Sequence, residues 1–182
     1  MVNGWDANPG DFPWAVNFDL RSSQPDGTIR QHLCGGTLIT PDVVLTAAHC
    51  FSQADGSYQP YASMTAHVGI VHRKNKELNT APFYTRDVSC VYRHEDFNPL
   101  DYTKDIALVK LSAPINDPDM VLPEVAPSFY SQAYYPVGHE SATESRKLDL
   151  IGWGSINGWG ESRWPVTILL VAKPRMHQRC GI

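Results

Sequence analysis

An all-β fold of antiparallel strands, closed as a barrel or stacked as a sandwich, is predicted for this 182-residue chain on three observations. Short apolar segments of strand length recur along it, turn-forming dipeptides separate them, and no segment sustains the 3.6-residue apolar period of a helix. The 14 prolines and 13 glycines supply the frequent punctuation that many short strands require.

The elements follow in order. A first strand is expected over residues 12–18, after the Pro9-Gly10 turn. Strands at 36–40 and 43–46 are divided by Pro41-Asp42, and Ala47-Ala48-His49-Cys50 then reads as one helical turn. Segments 64–71, 83–92 and 106–111 come next, with Asp55-Gly56 and Asn98-Pro99 marking turns among them. Strands at 147–151 and 166–172 flank Asn157-Gly158, and residues 174–180 are expected to begin a short helix. No internal repeat or low-complexity tract interrupts this order.

Bulk properties narrow the function classes. A net charge of −4 disfavours nucleic acid as the main partner. No apolar run approaches the roughly 18 residues of a membrane span, so no membrane role is expected. The opening Met1-Val2-Asn3-Gly4-Trp5-Asp6 turns polar at once, without the apolar stretch of about 7–15 residues that a secretory signal needs. That leaves a cytosolic protein or a portion of a longer precursor. Cys34, Cys50, Cys90 and Cys180 form no CxxC pair, which argues against a zinc ribbon; as a set they allow three disulfide connectivities.

The densest chemical signal is Leu33-Cys34-Gly35-Gly36-Thr37-Leu38-Ile39 followed by Leu45-Thr46-Ala47-Ala48-His49-Cys50. Paired glycines permit close backbone approach, and small residues lead to a histidine that a cysteine follows. A Cys34–Cys50 bridge would close a loop of about 15 residues, worth about 3 kcal/mol in the chain-entropy model, and would pin the backbone beside His49. Taken in isolation, His49 either ends a strand or ligates a metal with Cys50.

Those residues resemble the chymotrypsin/trypsin family of serine proteases. Residues 45–50 match that family's catalytic-histidine motif one for one. The run Pro9-Gly10-Asp11-Phe12-Pro13-Trp14-Ala15-Val16 is similar to its first strand, and His94-Glu95-Asp96-Phe97 with Asp105-Ile106-Ala107-Leu108-Val109-Lys110-Leu111 to its aspartate region. Gly152-Trp153-Gly154 resembles the motif opening the activation region of its second barrel. The resemblance implies one domain over residues 1–182, a double β-barrel whose first barrel (about 12–111) is complete and whose second (about 120–182) is truncated. It implies peptide or protein substrates, no cofactor, and an extracellular setting, with which a disulfide agrees. His49 would act as general base and then general acid, since an imidazole titrates near neutrality. Asp105 would accept a hydrogen bond from the far ring nitrogen, fixing the tautomer. Without His49, Asp105 reads as a strand-edge charge or turn former.

The family's nucleophile sits in a Gly-Asp-Ser-Gly-Gly run, and these 182 residues hold no such run. The oxyanion hole and the specificity pocket are expected to be missing with it, so inactivity of residues 1–182 alone is predicted. Ser155 and Ser162 do not lie in a glycine-flanked turn suited to a nucleophile. Met1-Val2-Asn3-Gly4 aligns with the terminus that zymogen cleavage exposes, where the family has Ile or Val at the first place. Cys180 aligns with a half-cystine whose partner lies beyond Ile182, and Cys90 has no partner by resemblance; the two are expected to be free or paired with each other. The half-built second barrel would leave an open edge and marginal stability.

Two other readings stand beside the enzyme lineage. One is a non-catalytic protease homologue that binds a protein partner, which has no need for both His49 and Asp105. The other is metal binding through His49, His67, His72 or His94. The basic run Arg73-Lys74-Asn75-Lys76 disfavours calcium there.

Overall fold

A computed structural model describes residues 5–123, 150–153 and 170–172. By its internal contacts the chain divides into two units, Asn8–Glu124 and a second comprising Met1–Ala7 with Val125–Ile182.

The larger unit is a closed six-stranded antiparallel barrel. Its strands are β2 (Ala15–Ser23), β3 (Ile29–Thr40), β4 (Val43–Thr46), β5 (Ser63–Val68), β6 (Tyr84–Arg93) and β7 (Ala107–Leu111). They close in the order β2-β3-β4-β7-β6-β5. Alternation sends Val16, Phe18 and Leu20 of β2 inward, each fully buried, to meet Leu38, Val44, Ala66, Val68 and Val109. The Phe18 and Phe51 rings meet edge to face, with centroids 5.9 Å apart. Burial of this apolar set, at roughly 25 cal/mol per Å², is the main force closing the barrel.

Sequence expectation and structure differ mainly at strand ends. Phe12, Pro13 and Trp14 are not in β2; they form a turn in which the Ala15 N–H bonds to the Phe12 carbonyl. β3 begins at Ile29, well ahead of the expected 36, because its polar half pairs with β2 from Ser23↔Ile29 to Asp19↔Leu33. The hairpin turn between them uses Gly27 at φ +81°, a left-handed conformation that favours glycine. β5 stops at Val68, where Gly69 adopts φ +76°. The helical turn expected over residues 47–50 is a 3-10 turn, Ala48–Phe51, and a second one, Lys76–Leu78, went unpredicted.

In the other unit, β1 (Trp5–Asp6), β9 (Leu170–Ala172) and β8 (Leu150–Gly152) form a three-stranded antiparallel sheet in the order β1-β9-β8. The expected helix at 174–180, together with Gly154, Ser155, Ser162 and Cys180, lies outside the described residues. Among the described residues, no helix is long and apolar enough to cross a membrane.

Candidate active site

The site begins with the way β4 ends. Between β3 and β7, Leu45 pairs with Thr37 and Leu108, and Thr46 pairs with Ala107. The Thr46 hydroxyl donates to the Gly35 carbonyl at 2.7 Å, tying the end of β4 to β3. Gly36 makes that approach possible, for a Cβ there would lie 2.7 Å from Val44 Cγ1, 3.0 Å from Phe18 Cε2 and 3.1 Å from the Leu45 carbonyl oxygen. Gly35 is not under the same constraint: a Cβ on it would meet nothing within 4 Å.

After Thr46 the chain enters the 3-10 turn, which buries Ala48, Cys50 and Phe51 and leaves His49 exposed. Cys34 and Cys50 are joined as a disulfide, anchoring this turn to β3. A second anchor is Arg93, which sequence reasoning did not single out. Its guanidinium donates to Ser52 Oγ (2.6 Å) and to the carbonyls of Gly56 (3.0 Å) and Ser57 (3.1 Å). Ser52 Oγ in turn donates to the Ala48 carbonyl at 2.8 Å.

The turn has no cap of its own, since Ala47 offers no side-chain acceptor to its first N–H groups. Asp105, 56 residues further on, takes that role. One carboxylate oxygen accepts the His49 backbone N–H at 2.8 Å, while the other lies 2.7 Å from His49 Nδ1. Both arms of the carboxylate are thus committed to one residue. The Asp105 side chain is 20% exposed and that of His49 is 49% exposed. Burial acts to raise the Asp105 pKa, but the His49 N–H, the His49 ring and the Ala48 N–H outweigh it and hold the carboxyl below its ordinary value.

With Nδ1 occupied, a neutral ring carries its proton there and leaves the Nε2 lone pair available. Among the described residues, Nε2 meets only Cys50 Sγ, at 3.8 Å. A ring held in this way can take a proton at Nε2 while the carboxylate stabilises the cation formed.

Tyr102, also missed from sequence, sets its ring edgewise to the imidazole with centroids 5.8 Å apart. It belongs to the loop between β6 and β7 that delivers Asp105, in which Tyr102 (φ +57°) and Lys104 (φ +55°) both adopt left-handed backbone. The Asn98-Pro99 turn signal marks this loop in sequence but does not indicate which way it folds.

The metal alternatives find no ligand set here. Among the described residues, the one grouping of at least three candidate ligand residues is Cys34, His49 and Cys50. The two sulfurs are bonded to each other and offer no thiolate. His67 Nδ1 lies 3.0 Å from Thr85 Oγ1, and His94 Nδ1 accepts the Asp96 N–H at 3.1 Å. Neither these nor His72 joins His49 in a cluster. Cys90 is an exposed free thiol on β6.

A closed all-β barrel that presents an imidazole held by a carboxylate beside a disulfide defines a protease-like class. The family model for trypsin matches residues 1–179, and the chain belongs to the trypsin-like serine protease family. It is 29% identical over 163 residues to a venom peptide isomerase heavy chain of Agelenopsis aperta, covering 88% of this chain and 58% of that protein. It is 28% identical over 171 residues to a trypsin of Phaedon cochleariae, covering 94% and 56% respectively. A Bos taurus homologue of the suppressor of tumorigenicity 14 protein is 28% identical over 162 residues, 88% of this chain and 17% of that protein. The chain thus spans less than two thirds of the length of these relatives.

Proposed function

We propose that this chain carries the base-and-orienter half of a serine endopeptidase that cleaves peptide bonds by acyl transfer. The carrying observation is the double engagement of His49 by Asp105, at 2.8 Å through the backbone N–H and 2.7 Å through Nδ1. In this reading His49 is the general base toward a serine hydroxyl and then the general acid toward the leaving amine. Asp105 orients the ring and stabilises its cation. Peptide or protein substrates follow from the family. An extracellular setting is supported by the family resemblance together with the Cys34–Cys50 disulfide.

The sequence holds no Gly-Asp-Ser-Gly-Gly run, so residues 1–182 are proposed to be inactive by themselves. Loss of an oxyanion-hole donor costs about 2.7–4 kcal/mol of transition-state stabilisation, and the nucleophile itself is missing from this stretch. The test is hydrolysis of peptide and ester substrates by the purified chain and by His49→Ala. Equal background rates are expected; hydrolysis that His49→Ala abolishes would overturn the proposed inactivity. The coding sequence after Ile182 tests the lineage. A Gly-Asp-Ser-Gly-Gly run supports the enzyme, and a run with its serine replaced contradicts it.

A further inference from the structure

A single peptide unit connects the His49–Asp105 pair to a third residue. The plane between Ala48 and His49 presents its N–H to Asp105 at 2.8 Å, and on its opposite edge its carbonyl accepts the Ser52 hydroxyl, also at 2.8 Å. Ser52 Oγ accepts in turn from Arg93 Nη1 at 2.6 Å. This peptide is trans, and a peptide unit is planar and stiff. A hydrogen bond at each edge therefore fixes its rotation about the flanking Cα atoms. That rotation sets the direction in which the His49 side chain leaves the turn.

Arg93 is placed to hold both segments that carry the pair. It is the last residue of β6, where it pairs with Ala107, and the loop that follows it delivers Asp105. The His94 N–H closes the base of that loop on the Ile106 carbonyl at 3.0 Å. From there the Arg93 side chain crosses to the segment after the His49 turn, where Nη1 also donates to the Gly56 and Ser57 carbonyls at 3.0 and 3.1 Å. The centroid of the Tyr58 ring lies 5.5 Å from the guanidinium carbon. Gly56 lies beside the Asp105 loop, for a Cβ on it would sit 3.4 Å from Pro99 Cδ.

Among the described residues, no carboxylate pairs with Arg93. Its charge is directed at neutral acceptors instead, and hydrogen bonds from an ionised donor are roughly twice as strong as neutral ones. A polarised Ser52 hydroxyl and Ala48 carbonyl also make the His49 N–H a better donor to Asp105, because hydrogen bonds in a chain reinforce one another.

We propose that Arg93 is a positioning residue for His49. Through Ser52 it fixes the Ala48–His49 peptide plane and so keeps Nδ1 in line with the Asp105 carboxylate. The proposal rests on the reading of His49 as the base, but its test observes the imidazole directly and needs no hydrolysis. A failure of the protease reading would leave that result standing.

The test is NMR of the full chain with isotope-labelled histidine nitrogens, at a pH where the His49 ring is neutral. The Nδ1 and Nε2 shifts then give the ratio of the two tautomers, with the Nδ1–H form dominant in the unmodified chain. Arg93→Ala is expected to lower that ratio about threefold or more, within the range produced by residues that act through a contact network. Ser52→Ala leaves the Gly56 and Ser57 bonds in place and is expected to lower the ratio by less, in the same direction. Val68→Ala truncates the core on β5, which bonds to neither β4 nor β7. It destabilises the barrel and is expected to leave the ratio unchanged. A ratio unmoved in Arg93→Ala, or moved as far by Val68→Ala, would overturn the proposal. So would an unmoved ratio in Ser52→Ala, since the hydroxyl is the link; that variant decides alone if Arg93→Ala does not fold.

Discussion

Replacing Asp105 by alanine is expected to destabilise the barrel as well as free the imidazole. The carboxylate accepts the His49 backbone N–H at 2.8 Å and sits 2.7 Å from His49 Nδ1, with the Ala48 N–H directed at it as well. A hydrogen bond to a charged group contributes about 1.5–3 kcal/mol. The ring bond lies toward the low end because the His49 side chain is half exposed. Removal leaves the first N–H groups of the 3-10 turn without an acceptor, a loss comparable to deleting an N-cap at about 1 kcal/mol. These terms overlap, and together they place Asp105→Ala at about 2–4 kcal/mol. For a unit spanning Asn8–Glu124 that corresponds to a fall in Tm of roughly 10–20 °C.

The effect has a defined pH dependence. Because the folded-state pKa of Asp105 is depressed, the unfolded chain takes up this proton first as pH falls. The Asp105 contribution is therefore full above the unfolded carboxylate value, about 3.9, and is lost as pH falls through the folded value. Urea unfolding of the wild type and Asp105→Ala, followed by circular dichroism at pH 7 and at steps below pH 4, reads the difference directly. The stability gap is expected to be widest at pH 7 and to shrink as acid protonates the carboxyl. A gap below about 0.5 kcal/mol at pH 7, or one that stays constant into strong acid, would refute this account of what the carboxylate does.

Three further outcomes are expected. Gly36→Ala forces a Cβ against Val44, Phe18 and the Leu45 carbonyl, and overpacking of this kind costs about 1–3 kcal/mol in chemical denaturation; Gly35→Ala, with open space around it, loses far less. Reduction of Cys34–Cys50, or Cys34→Ser/Cys50→Ser, lowers stability by about 3 kcal/mol, read as a reductant-dependent shift of the unfolding midpoint. Arg93→Ala removes the donor to Ser52, Gly56 and Ser57, and hydrogen exchange is expected to speed up across residues 52–58 while the β2–β3 amides stay protected.

Much of the barrel was legible because its strands carry their own apolar signal. The segments leading to β4, β6 and β7 were read within a residue or so of their ends, since Val43, Val44, Val109 and Leu111 alternate or cluster as half-buried strands do. The polar half of β3 was not read. Arg30, Gln31 and His32 have no apolar pattern, and this stretch is a strand because β2 is there to bond it. At residues 12–14 the error ran the other way, for aromatic residues suggested a strand where Phe12 and Trp14 instead stack edgewise across a turn, with centroids 6.2 Å apart.

The candidate site divides along the same line. His49 stood out through its neighbours, and the disulfide was a possibility raised by spacing. Asp105 was identified only by resemblance, because nothing local in a run of acidic and polar residues tells which carboxylate folds back across 56 residues. Arg93 and Tyr102 escaped for the same reason: their roles consist entirely of distant contacts.

The carboxylate that orients the imidazole is also the acceptor that caps the turn bearing it, so orientation and folding cannot be removed separately by deleting Asp105. Asp105→Asn separates them in part. Its single carbonyl oxygen can still accept the His49 backbone N–H, while its amide, where the second oxygen stood, presents a donor to Nδ1. That favours the tautomer protonated at Nε2, the wrong one for a base at that atom. Asn is therefore expected to recover about half of the stability that Ala loses, yet to move the Nδ1 and Nε2 chemical shifts as far as Ala does or further. If stability instead falls from Asp to Asn to Ala while the Nδ1 and Nε2 shifts stay where they are, the carboxylate is only a cap, and the imidazole owes it no orientation.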